Sequence, residues 1–159
     1  MNTTTTAAPK RPLGFWIIGL FALVWNLIGV AMWYLQVNMS AEQLAAMTEA
    51  QRQVYEATPG WLNIAFAVAV FAGVLGALGM LLKKKWAATM FLLSLIALLV
   101  QMIGAYVVTP AWSAYGPVGL VMPAVLLAIA LFLLWYANKA QARGWLSIVM
   151  LPRLPDPRL

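Results

Sequence analysis

Residues 63–91 read NIAFAVAVFAGVLGALGMLLKKKWAATMF. From Asn63 to Leu82 there is no Asp, Glu, Lys or Arg, and then Lys83, Lys84 and Lys85 follow in a row, with Trp86 directly after them. A helix that crosses a bilayer needs about 20 mostly apolar residues, because the hydrocarbon core is roughly 30 Å thick and each residue rises about 1.5 Å. A second apolar stretch begins at Trp86. The lysine connection is so short that the helices on either side of it must be antiparallel neighbours. The charges then mark one membrane face, with the indole of Trp86 at headgroup level.

The rest of the chain follows the same plan. The full sequence is 64% hydrophobic and 9% charged with a mean hydropathy of +0.87, well outside the range of a soluble domain. Four stretches are long enough to span, at about 14–37, 61–82, 86–108 and 120–136. The expected fold is an all-α integral membrane protein, a four-transmembrane-helix bundle over residues 14–137. A polar, disordered segment, 1–13, precedes it and a basic interfacial segment and tail, 138–159, follow. Lys10 and Arg11 stand before the first stretch as they would in a signal peptide. That stretch, however, has about twice the length of a signal-peptide core and ends in WYLQVNMS with no small-residue cleavage site, so it is read as an uncleaved span.

Positive charge near a span is retained on the cytoplasmic side, so the Lys83–Lys85 hairpin faces the cytoplasm and four spans put both termini there too. The remaining charges test this. Lys10, Arg11, Lys139, Arg143, Arg153 and Arg158 fall on the same side, leaving Arg52 as the one basic residue of ten outside. Glu42, Glu49 and Glu56 fall outside and Asp156 inside. The net charge of +6 therefore reports topology and contact with anionic lipid headgroups, and no nucleic-acid partner is expected.

The first outer link, residues 38–60, carries helix-start signals at Ser40 with Gln43 and at Thr48 with Gln51, and a stop at Thr58 before Pro59. Leu44, Met47 and Val54 fall near one face, so one or two short amphipathic helices are expected there, either as a lid or docking site or as a plain cap on the bundle. The second link, TPAWSAYGPVG, reads as a compact turn. GWLSIVML, after the fourth span, is too short to cross and is placed along the inner interface ahead of an unstructured PRLPDPRL tail.

Within the spans, Ala65, Ala69, Gly73 and Ala77 recur every four residues with Ala72 and Gly76 beside them, a flat stripe that belongs against another helix of the chain or a second copy. FALVWNLIGVA from Phe21 and IALLVQMIGAY from Ile96 align at an offset of 75 residues, pairing Asn26 with Gln101. This reads either as two parallel helical-hairpin repeats or as chance likeness between Leu-, Ile- and Ala-rich helices. Asn63 and Thr89 lie near interfaces, and Ser94 is expected to bond back to its own helix. Asn26 and Gln101 lie deeper. An amide in hydrocarbon must be satisfied, so both are expected inside the bundle, hydrogen-bonded to each other directly or through water as a structural or binding polar core.

The chain has no Cys and no His, which removes thiolates, disulfides and the commonest metal and haem ligands, so no metal or other cofactor is expected. No intramembrane carboxylate is present to couple transport to protons, and no nucleophile or phosphate-binding constellation stands out, so the chain is not expected to be an enzyme.

The segments ALVWNLIGV, MSAEQLAAM with YEATPGW, KKKWA and VMPAVLLAIALFLLWYANKAQARGWL together resemble an uncharacterised family of small four-span bacterial inner-membrane proteins, some of which carry an automatic "sugar transporter" label. The similarity runs from about Phe15 to Leu146. It implies the architecture and a bacterial inner-membrane location, and brings no site residues. Two functions stay open: a non-enzymatic structural or accessory subunit packed against a membrane partner or a second copy, and a small-solute, sugar-like transporter acting as an oligomer. A cavity in mid-membrane lined jointly by Trp25, Asn26 and Gln101 would favour the second.

The orientation is testable in this cysteine-free chain. Single cysteines at Gln51 and Lys84 are treated with a membrane-impermeant thiol reagent in intact spheroplasts; position 51 should label and position 84 should not. The reverse pattern would invert the topology.

Overall fold

The computed structural model describes residues 11–146, and these are mostly helical, without a strand. Four helices are long and apolar enough to span: α1 (Leu13–Val37), α4 (Gly60–Leu81), α5 (Trp86–Val108) and α7 (Val121–Ala142). Two short helices, α2 (Ala41–Ala46) and α3 (Glu49–Ala57), join α1 to α4. A single turn of helix, α6 (Ala111–Tyr115), and a 3-10 turn at Pro117–Leu120 join α5 to α7. Leu13, Ile64 and Val107 are among many large apolar side chains left more than half exposed, a surface suited to the membrane interior. The protein is a multi-pass membrane protein with an all-α four-helix bundle.

Helix α4 lies between α1 and α5, and α7 leans on α5. The reason is visible in α4 itself. Leu62 meets Gly104, Ala69 meets Ser94 and Gly76 meets Phe91, all on α5. Asn63 meets Trp33 and Gln36, Val70 meets Gly29 and Gly73 meets Asn26, all on α1. Asn63 and Val70 each follow a member of the first set by one residue, about 100° of helix rotation, and Gly73 falls between the two stripes. Two adjacent stripes of α4 thus take one helix each. The small residues permit close approach: a Cβ on Gly76 would stand 2.8 Å from the Phe91 ring, and one on Gly73 would collide with the Asn26 carboxamide. The stripe packs within the chain. Lipid tails are as apolar as the helices, so it is this close van der Waals packing, and not a hydrophobic drive, that holds the helices together.

At the lysine end both hairpins stop in the same way. The Lys84 N–H donates to the Gly79 carbonyl at 2.7 Å and the Trp145 N–H to the Ala140 carbonyl at 2.9 Å, each closing the six-residue loop of a left-handed helix cap. Gly144 supplies the left-handed residue in the second, with φ of 74°; in the first the place is taken by Lys83, at φ of 62°. A non-glycine residue is costly there by about 1–2 kcal/mol. Its ammonium lies 5.7 Å from the centroid of the Trp16 ring, an attraction that offsets part of this.

Helix α7 runs to Ala142, past the expected span end at residue 136, because the following Ala137–Ala142 stretch combines alanines with polar helix formers and carries the helix out into the headgroup zone. The chain then turns back. Trp145 and Leu146 join Phe15 in the core, and the Arg11 guanidinium donates to the Trp145 carbonyl at 2.8 Å. The two ends of the described chain therefore meet at the lysine face. Residues 1–10 and 147–159, which include most of the expected inner-interface run and the tail, lie outside the described residues.

Gly73→Leu should drive α1 from α4 and lower stability in detergent by about 1–3 kcal/mol, as overpacked sites do. Leu75→Met, at a position 46% exposed, is the matched control. Equal melting temperatures for the two variants would remove the packing assignment.

Candidate functional site

The four long helices enclose a cavity of about 510 Å³ in mid-membrane. Its wall is apolar apart from Asn26, Gln36, Ser94 and the indole of Trp25, and it has no charged side chain. Two of these polar groups are satisfied at the wall. The Ser94 hydroxyl donates to the Ala69 carbonyl across the α4–α5 contact at 2.6 Å. The Asn26 amide donates to the Ala22 carbonyl of its own helix at 2.8 Å and lies flat on Gly73.

A second cavity of about 400 Å³ lies at the end of the bundle away from the lysines, beneath the α2–α3 cap. Both capping boxes expected at Ser40 with Gln43 and at Thr48 with Gln51 are formed, side chain to backbone in both directions. Arg52 ties the two helices together, donating from Nε to the Leu44 carbonyl at 3.4 Å and from its terminal nitrogen to that of Met47 at 3.5 Å. The lid so built rests on α6. The cavity is lined by the amides of Gln43 and Gln51 and the ring of Tyr55 from the lid, and by Gln36, Gln101 and the ring of Tyr115 below it, again without a charged group. Met47 and Val54 line the same cavity, as the expected apolar face of the link.

Gln36 belongs to both walls and stands between the two spaces. Its amide donates to the Asn63 side-chain oxygen at 3.1 Å, while the Trp33 indole donates to the Asn63 carbonyl at 3.1 Å. Asn63 thereby anchors the lid end of α1 to α4.

The expected pairing of Asn26 with Gln101 is not formed. Asn26 lies level with Gly73, and Gly73 lies between Gly76, opposite Phe91, and Ala69, opposite Ser94. Gln101 is seven residues beyond Ser94 on α5, about 10 Å nearer the lid. With α4 between their helices and this difference in depth, the amides line separate cavities. The expected roles of Ser94 and Asn26 are exchanged: Ser94 reaches across to α4, since Ala69 lets α5 approach, and Asn26 bonds to its own helix. Lys83, Lys84 and Lys85 occupy the connection expected of them. Gln36, Gln43 and Gln51 were not expected at a site. The last two were legible only as capping residues, and Gln36 as the end of a span.

Comparison of the chain with family models, curated proteins and solved structures returned no match. The site is therefore defined by its own geometry: two neighbouring spaces without a charged lining residue that share Gln36, one apolar and one richer in hydrogen-bonding groups, that can bind and orient a molecule.

Because Asn26 and Gln101 share no partner, a double-mutant cycle of Asn26→Leu and Gln101→Leu should be additive in unfolding free energy to within about 0.5 kcal/mol. A larger coupling would require a structure in which the two amides meet.

Proposed function

We propose that this chain is a non-enzymatic accessory or structural subunit of the bacterial inner membrane, without a cofactor and with both termini in the cytoplasm. The observation that carries the reading is the character of the membrane interior. The mid-membrane cavity offers two amides, one hydroxyl and one indole among apolar side chains, and no group there transfers a proton or holds an ion. Such an interior packs and binds. The long apolar faces of α1 and α7, more exposed than those of the central helix α4, supply surface for a membrane partner or a second copy. The basic ends at Lys84, Lys85 and Arg143 suit anionic headgroups.

A second reading, an oligomeric transporter of small uncharged solutes such as sugars, draws support from the amides and tyrosines under the lid and from the family resemblance. The apolar wall of the deeper cavity weighs against it, since Trp25 and Asn26 share that wall without Gln101.

Extraction of the protein at native expression level with a lipid-retaining polymer, followed by native mass spectrometry, should recover a different membrane protein in fixed stoichiometry. A monodisperse monomer would overturn the subunit reading. A homo-oligomer that passes labelled sugar in proteoliposomes would replace it with the second.

A further inference from the structure

The two spaces differ in chemistry, the upper one carrying the larger share of polar groups, and Gln36 stands in the wall of both. The deeper one is walled by all four long helices, yet α1 and α7 barely touch along their length. On that side the lining residues Ile28, Met32 and Met122 are 49%, 55% and 60% exposed, so the cavity opens sideways, toward lipid. Along α7 it extends from Met122 to Leu133, about 16 Å of helix. That is about half of the 30 Å hydrocarbon thickness, the depth of one leaflet.

The upper space has a different inventory. The side-chain oxygens of Gln43 and Gln51 accept the backbone N–H groups of Ser40 and Thr48, which leaves their amide N–H donors over. Among the described residues the Gln101 carboxamide has no hydrogen-bond partner, so both its donor and its acceptor ends are available. Tyr55 and Tyr115 add phenolic hydroxyls. A head that both donates and accepts hydrogen bonds satisfies this set. A charged head does not, because neither wall carries an opposite charge and an unpaired ion there is costly.

We propose that the two spaces form one site for an uncharged amphiphile drawn from the leaflet on the lid side, its single apolar tail in the central cavity and its hydroxyl-bearing head beneath the lid. The tail enters between α1 and α7. The head turns at Gln36 and is held by Gln101 and the free donors of Gln43 and Gln51. The combined volume falls in the range of small-molecule sites. This site is independent of whether the chain serves as a subunit, since it uses the interior of one copy.

The full-length protein in phosphatidylcholine nanodiscs is photolysed with a dodecyl glucoside that carries a diazirine in its tail, and the adducts are mapped by peptide mass spectrometry. Adducts should concentrate on Met32, Met122 and Leu126, and unlabelled dodecyl glucoside should displace the probe at roughly one-tenth the concentration needed for dodecanoate. Ala130→Trp, which fills the cavity, should remove most of the labelling. Val107→Trp, on the lipid-facing surface, should leave it unchanged. Gln101→Leu, which tests the head without disturbing the bundle, should weaken displacement by the glucoside roughly tenfold. Adducts spread evenly over lipid-facing residues such as Ile64 and Val107 would overturn the proposal. Equal displacement by dodecanoate, or displacement by free glucose at the same concentration, would do so too.

Discussion

The close approach of backbones along α4 is the constraint on which the rest of the bundle depends. In water a helix with so little side chain on two of its faces would be a poor core element. In lipid, where apolar surface gains nothing by leaving one apolar medium for another, small residues let neighbours come near enough for dispersion and short hydrogen bonds to hold them. Gly73 receives Asn26, Gly76 receives Phe91, and Gly79 receives Trp86 and Ala87. Because those contacts fall on adjacent stripes of one helix, α1 and α5 are set at an angle about α4. Helix α7, which packs on α5, closes the third side and leaves the fourth open. The central cavity is the space that this arrangement encloses.

Polar groups follow from the same geometry. A serine hydroxyl is short, so Ser94 can bond across an interface only where the opposing residue is as small as Ala69. An asparagine reaches its own preceding turn, and it can lie against α4 because Gly73 has no side chain. Further toward the lid the spacing relaxes, and longer groups, Gln36, Trp33 and Asn63, bridge α1 and α4 instead. The amide that has no such partner, Gln101, lies where the bundle opens beneath α2 and α3. The two members of the 75-residue offset thus sit in unlike surroundings: Asn26 against Gly73 of its hairpin neighbour, Gln101 in the cavity beneath α2 and α3.

The two ends of the bundle are built differently. At the lysine face both hairpins finish in left-handed caps, Trp145 and Leu146 fold back beside Phe15, and Arg11 fastens one end of the described chain to the other. The opposite end is closed by a lid of two short helices whose own ends are satisfied locally, by capping boxes and by Arg52. A lid that satisfies its own backbone makes few demands on the bundle below it, and polar space is left between them. One end is fixed by packing while the other holds the amides that give the site its chemistry.

The sequence by itself determined everything that depends on local composition. Charge-free runs of about 20 residues specified four spans, three lysines specified a tight hairpin, and Ser40 with Gln43 and Thr48 with Gln51 marked helix starts in the outer link. It also marked α4 as the helix that neighbours approach most closely. Tertiary structure decided what depends on relative depth and on which face meets which helix. Periodicity gives the rotation of a residue about its own axis, but not how far one helix is shifted along another. That shift separates Asn26 from Gln101 by about 10 Å. It also joins Ser94 to α4 and gathers four glutamines around one cavity, although they are spread from Gln36 to Gln101 in the chain.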